Sequence, residues 1–205
     1  MLERKTRTLG VAAAALVAGI AGSLPVYAES TTSTGGGALS AAAHLDFSVV
    51  VPRFLTFRVG TLNATIDVIT FTVAAGSVGN ATPVAGTGGD AGGGSGSNVS
   101  VLANGGQVTI TESNNGTGTG LQHATLADTI SYSQITTTSS DTTNLQRPVL
   151  SDTGGNTSLP VLNAGNVTNR SAVWTYAYAN SNVVSAGTYG TSAKGGRVTY
   201  TATMP

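Results

Sequence analysis

Apolar and polar residues alternate along several short stretches of this 205-residue chain, as they do in β-strands, where successive side chains point to opposite faces. The clearest stretch, SAVWTYAYAN, starts at Ser171 and places Trp174, Tyr176 and Tyr178 on one face. The segment RVTYTATMP repeats the pattern at the C-terminal end. β-Branched and aromatic residues favour pleated, half-buried surfaces. We therefore expect these two strands to form the centre of the core.

The same alternation begins much earlier in the chain. The segment LDFSVVV places Leu45, Phe47, Val49 and Val51 on one face, so we interpret it as a candidate assembly strand. Further on, NVSVLA and QVTITE flank Asn104–Gly106, whose Asn-Gly pair predicts a tight hairpin. Roughly eight or nine short strands separated by turn signals predict an all-β protein, an antiparallel sandwich spanning residues 44–205.

The N-terminal 43 residues do not show this alternation. Met1–Ala28 has a basic start, an apolar run of about 16 residues and a small-residue end, the pattern of an export signal. A membrane anchor is the alternative, but a spanning helix needs about 20 apolar residues. Residues 29–43 contain a glycine triplet without alternation and predict a flexible tail.

Composition excludes several classes of function. Charged residues make up only 9% of the chain. Removal of the signal takes three of nine basic and one of nine acidic residues, which leaves six basic and eight acidic residues. No basic patch remains for nucleic acid, so we expect no partner of that kind. The absence of cysteine excludes disulfides, thiolate metal sites and cysteine nucleophiles.

The residues that could support catalysis or metal binding are sparse and badly spaced. The two histidines, His44 and His123, form no known zinc-ligand spacing, and we expect both at the surface. Asp67, Glu112 and Asp128 are not paired by any spacing, so we expect solvated carboxylates. The sequence therefore predicts no enzyme, no cofactor and no metal site.

The aromatic stripe Trp174, Tyr176 and Tyr178 has two interpretations. Exposed rings would form a platform on which sugar rings stack, whereas buried rings would fill the space between two sheets. We favour the core, because large aromatic side chains dominate buried area and the opposite face of the strand has only small residues.

Three features together resemble secreted bacterial surface proteins, in particular fimbrial subunits of the chaperone–usher kind. These are the export signal, LDFSVVV after a tail, and the closing GTYGTSAKGGRVTYTATMP. The resemblance implies an immunoglobulin-like sandwich, completed by a strand from a neighbour, and a periplasmic chaperone as a partner. The chain departs from that family in having no cysteine pair and in ending Thr203-Met204-Pro205.

We therefore expect an exported structural or adhesive subunit, located outside the cell or on its surface after passage through the periplasm. Its expected partners are further copies of itself or other surface subunits, joined head to tail through the segment at Leu45. The alternative function is an extracellular carbohydrate-binding module that uses the aromatic stripe as its platform.

Overall fold

The computed structural model describes residues 31–63 and 65–205. The expected export signal, Met1–Ala28, lies outside the described residues. The chain divides into two units, one ending at Val50 and the other running from Val51 to Pro205. Within the described residues, no helix has the length and apolar character needed to cross a membrane.

The first unit has no strand or helix among its described residues, 31–50. The backbone bends at Gly35–Gly37, and the Thr31 hydroxyl donates a hydrogen bond to the Ala42 carbonyl at 2.7 Å. The sequence predicts a strand from Leu45 onward, but this stretch pairs with no described strand, and the first ladder begins at Leu55. A strand requires a partner as well as an alternating pattern, and no described residue supplies one here.

The second unit is built almost entirely of antiparallel strands, which confirms the predicted all-β fold. Twelve strands occur in the described residues, and six of them have only two residues. The strands are β1 (Leu55–Val59), β2 (Ile69–Thr70), β3 (Val84–Ala85), β4 (Thr87–Gly88), β5 (Gly96–Ala103), β6 (Thr109–Asn114), β7 (Leu121–Gln122), β8 (Thr129–Ile130), β9 (Ile135–Ser139), β10 (Thr157–Ser158), β11 (Thr168–Tyr178) and β12 (Val198–Thr203). Single turns of 3-10 helix occur at Ala75–Ser77 and Tyr132–Gln134.

The longest strand, β11, organises a five-stranded sheet. It pairs with β5 through Thr168–Thr175 and with β9 through Trp174–Tyr178. Because Trp174 and Thr175 pair with both, β5 and β9 lie on opposite edges of β11. Strand β3 pairs with the end of β11, and β1 pairs with the far side of β5. This arrangement agrees with the expectation that the Ser171 stretch is central.

A three-stranded sheet in the order β10-β6-β12 supplies the other layer. One core cluster joins Val99 and Trp174 of the large sheet to Ile110 of β6, and Tyr200 of β12 packs against it. A sandwich has this arrangement, in which two sheets bury their inner faces against each other. Two further ladders, β2 with β4 and β7 with β8, have two residues in each strand.

The predicted hairpin around Asn104–Gly106 is wrong. Strand β5 belongs to the five-stranded sheet and β6 to the three-stranded sheet, so the turn leads from one layer to the other. Both strands bury alternate apolar residues, and these meet across the core rather than side by side. Gly106 adopts a φ of +135°, a conformation that favours glycine, and its N–H donates to the Asn166 carbonyl.

The glycine-rich stretch 76–98 forms short strands, although glycine-rich segments are typically flexible. It contains β3, β4 and the first residues of β5. The Asp90 carboxylate accepts a hydrogen bond from the Asn98 N–H at 2.7 Å, and the Asn98 amide donates to the Asp90 carbonyl. These two bonds fix the loop against the start of β5.

Candidate assembly surface

The segment Leu45–Val51 presents a run of exposed apolar side chains. Phe47 is 87% exposed and Val50 90%, and the alternating residues Leu45, Val49 and Val51 are all more than two-thirds exposed. Concentrated apolar exposure of this kind marks interaction sites on soluble proteins, because it costs free energy as long as it faces water. The segment is thus a candidate surface for binding another chain.

The outer edge of β1 is unpaired in the described residues. The Asn104 N–H donates to the Phe54 carbonyl, and the Gly60 N–H donates to the Asn98 carbonyl. Hydrogen-bonded pairs alternate along an antiparallel ladder, so the even-numbered residues of β1 direct their backbone groups toward β5. The N–H and C=O groups of Leu55, Phe57 and Val59 therefore point to the outer edge, where another strand can bind.

The side chains of those same three residues, Leu55, Phe57 and Val59, pack against the core. Residues on one face of an added strand would therefore lie beside the apolar side of β1. An alternating apolar segment matches such an edge in both its backbone and its side chains.

The residues before β1 are held firmly by Asn104. Its side-chain oxygen accepts from the Phe54 N–H at 2.8 Å, and its amide donates to the Pro52 carbonyl at 2.8 Å. Arg53 donates to the carbonyls of Gly105 and Pro205. The residues from Pro52 to Phe54 therefore continue the line of β1 along the end of β5.

Arg58 lies on the opposite face of β1, beside an open concavity of about 280 Å³. Asn98, Ser140 and Ser171 also line this space. The Arg58 Nε is buried and makes no hydrogen bond to the described residues. No acidic side chain of the described chain forms an ion pair with this guanidinium, so it can still pair with a carboxylate.

The aromatic stripe lies in the core. Trp174 is 0% exposed, Tyr178 is buried and Tyr176 is half-buried. The indole N–H of Trp174 faces the Leu145 carbonyl at 3.4 Å, and the Tyr176 hydroxyl lies 3.4 Å from that of Tyr200. These three rings do not form an exposed platform for sugars, since Trp174 and Tyr178 are buried and Tyr176 packs against the core.

A buried carboxylate lies beside these tyrosines, and sequence reasoning missed it. Glu112 is 0% exposed; one oxygen accepts from the Asn114 amide at 3.0 Å, and the other has no partner in the described residues. The prediction that Glu112 is solvated is wrong. It occupies an inward position of β6 opposite Tyr200, and the alternation Ile110-Thr111-Glu112 indicates that position.

Burial and the Glu112 charge raise the pKa values of the neighbouring phenols. The pKa of Tyr132 rises to about 12, first because of burial and then because of the charges of Glu112 and Asp152. Burial also raises the pKa of Tyr200 well above its ordinary value, with smaller contributions from Tyr176 and Glu112. The Tyr132 hydroxyl donates to the Gly195 carbonyl. These hydroxyls remain protonated at neutral pH and act as core hydrogen-bonding groups.

His123 is buried rather than at the surface as the sequence predicts. It is 4% exposed, and its Nδ1 accepts from the N–H groups of Thr125 and Leu126 at 3.1 and 2.9 Å. Its Nε2 lies 3.1 Å from the Ala186 carbonyl, so Nε2 has the proton. The imidazole therefore hydrogen-bonds to two loops, and both of its nitrogens are engaged, so neither is available to bind a metal.

The other two carboxylates considered as catalytic candidates, Asp67 and Asp128, have structural partners. Asp67 accepts from the backbone and hydroxyl of Thr61 at 2.7 and 2.8 Å. Hydrogen bonds from Ser185 lower the pKa of the exposed Asp128. Among residues 31–63 and 65–205, no three His, Cys, Asp or Glu side chains gather into a metal-binding group.

Comparison with known proteins finds no relative: no family model, curated protein or solved structure matches the chain. Its function must therefore be inferred from its own residues, and among these the segment Leu45–Val51 is the clearest candidate surface.

Proposed function

We propose that this chain is an exported, non-catalytic structural or adhesive subunit of the cell surface, which associates with further copies of itself. The exposed apolar segment Leu45–Val51 is the observation that supports this proposal most directly. A soluble chain that exposes such a run gains free energy by burying it in a partner. The unpaired edge of β1 provides a surface of matching chemistry.

Three further features support export and assembly. The pattern of Met1–Ala28 is typical of a cleaved export signal. The low content of charged residues removes much of the electrostatic protection that keeps sheet edges apart. An immunoglobulin-like topology and a periplasmic chaperone, both implied by the resemblance to fimbrial subunits, belong to this proposal.

The export part of the proposal is tested by fractionation and mass. Cells expressing the full chain are separated into cytoplasm, periplasm and sheared surface material, and the intact mass of the recovered protein is measured. We expect a chain that begins at Glu29 in the surface material. Recovery only from the cytoplasm, or with residues 1–28 retained, would contradict the proposal.

The assembly part is tested by the variant Phe47→Asp, with Ser48→Asp as its matched control. Both add one negative charge to the same segment, but only the first replaces a residue of the apolar face. We expect Phe47→Asp to remain a folded monomer, because a charge in an apolar contact is costly. Ser48→Asp should associate like the wild type.

Light scattering and circular dichroism together distinguish the outcomes of this experiment. An unfolded Phe47→Asp monomer would indicate that the segment completes its own domain instead of binding a partner. A wild-type protein that stays monomeric at high concentration would contradict self-association.

A further inference from the structure

We propose that two copies exchange their Leu45–Val49 segments reciprocally, each segment adding antiparallel to the outer edge of β1 in the other copy, with Asp46 opposite Arg58. This inference rests on the self-association proposed above, and it specifies the binding edge, the register and the size of the assembly.

The sheet face on which each side chain lies limits the registers in which the segment can pair with β1. Leu55, Phe57 and Val59 pack against the core, so an added strand must place Leu45, Phe47 and Val49 on that same side. Directly opposite residues of an antiparallel pair share a face. A slip by one residue would direct Asp46 and Ser48 toward the core. Only registers that pair odd-numbered with odd-numbered residues remain.

Charge selects one of these registers. With Asp46 opposite Arg58, an exposed carboxylate lies beside a guanidinium that forms no ion pair with the described residues. Phe47 then lies opposite Phe57, and the two residues form a hydrogen-bonded pair, in which each backbone N–H donates to the other residue's carbonyl. Asp46 and Arg58 form a non-hydrogen-bonded pair, in which the opposed side chains lie closer together. A slip by two residues would place Asp46 opposite Thr56 or Gly60, which have no charge.

The segment and the edge that accepts it are neighbours in one chain, and this makes the pairing self-complementary. Leu45 of one copy lies opposite Val59 of the other, and the reverse contact forms at the same time. Such an isologous arrangement closes around a two-fold axis and leaves neither edge of β1 free. The assembly is therefore a closed dimer rather than a head-to-tail filament.

Pairing between chains also agrees with the way Asn104 holds the preceding residues. Because Pro52 and Phe54 are both bonded to its side chain, they continue β1 alongside β5. They do not turn toward the outer edge of β1, as a fold-back of the same chain onto its own strand would require.

Engineered disulfides test the register, and the absence of native cysteine makes the result unambiguous. Ser48→Cys and Thr56→Cys are made in separate chains, one with a size tag, and mixed before mild oxidation. Ser48 lies opposite Thr56 in the proposed register, so we expect a disulfide-linked tagged–untagged pair. Val50→Cys with Thr56→Cys corresponds to a two-residue slip and should cross-link about tenfold less, because its sulfurs are too far apart.

Charge reversal tests the contact that sets the register. Asp46→Arg or Arg58→Asp alone should weaken the dimer by about two- to fivefold, because each places like charges opposite one another. The double variant, with the charges exchanged, should recover the wild-type dissociation constant. Equal affinities for all four proteins, measured by sedimentation, would overturn the proposed contact.

The oligomer size separates this inference from the proposed function. A wild-type dimer that cross-links between Ser48→Cys and Thr56→Cys supports both. Assemblies larger than a dimer, or association without this cross-link, would overturn the inference while the self-association stands. A wild-type monomer at high concentration would overturn both. A chain carrying both cysteines that links them only within itself would overturn the inference alone.

Discussion

The indole of Trp174 and the phenol of Tyr200 pack edge to face, with ring centroids 5.1 Å apart and ring planes at 66°. Trp174 belongs to the five-stranded sheet and Tyr200 to the three-stranded sheet. Aromatic pairs of this geometry contribute more than their buried area alone. This contact joins the two layers of the sandwich at the centre of the core.

Trp174→Ala should lower the free energy of unfolding by about 3–5 kcal/mol, because it leaves a large cavity between the sheets. Urea unfolding measures the change. Val183→Ala, at a residue 80% exposed, serves as the control and should leave the midpoint unchanged. An unshifted midpoint for Trp174→Ala would show that the indole is not needed in the core. It would then favour the alternative function, a carbohydrate-binding module.

Stability should fall at alkaline pH because of the buried tyrosines. Unfolded tyrosines lose their proton near pH 10, whereas Tyr132 in the folded chain has a pKa of about 12. The unfolded state therefore binds fewer protons between these values, and stability decreases as pH rises. This contribution to the free energy of unfolding should be fully present below about pH 10 and should be lost as the pH rises toward 12.

Tyr132→Phe isolates this effect. The variant should be less stable at neutral pH, since it loses the hydrogen bond to the Gly195 carbonyl, but its alkaline decline should be shallower. Urea unfolding at a series of pH values measures both quantities. An equally steep decline in the variant would assign the pH dependence to other groups.

Glu112→Gln should raise the free energy of unfolding at neutral pH by about 1 kcal/mol, because a neutral amide costs less to bury than a carboxylate. The amide oxygen can still accept from Asn114. The pKa of Tyr132 should fall, since one of the charges that raise it is removed. Thermal unfolding and the ultraviolet titration of tyrosinate measure the two effects, with Val183→Ala as an exposed control.

A lower unfolding midpoint for Glu112→Gln would contradict this expectation. It would show that the free carboxylate oxygen serves as an acceptor that the amide cannot replace.

His123→Ala should destabilise the chain by about 2–3 kcal/mol, since it removes the hydrogen bonds that the imidazole makes to the backbone at Thr125, Leu126 and Ala186. His123→Asn retains an acceptor and should lose less stability. Hydrogen exchange of the Leu126 amide, which donates to the imidazole, should report the loss of protection locally. Unchanged protection in the alanine variant would indicate that the imidazole does not hold this loop.

The sequence alone predicted the β-class of the fold and the central place of the Trp174 strand. Both follow from alternation, which is a local property, because the two faces of a strand are defined by its own residues. The same alternation identified Leu45, Phe47, Val49 and Val51 as one face of a candidate assembly strand.

Only the tertiary structure decided which strands pair, and for this reason the hairpin prediction at Asn104 failed. A turn motif is compatible with a hairpin and with a crossing between sheets, and long-range packing selects between them. Packing likewise buries Glu112 and His123, because polar residues enter a core wherever local partners satisfy most of their hydrogen bonds. The free edge of β1 is also a property of the assembled sheets, since an edge exists only where no neighbouring strand has paired.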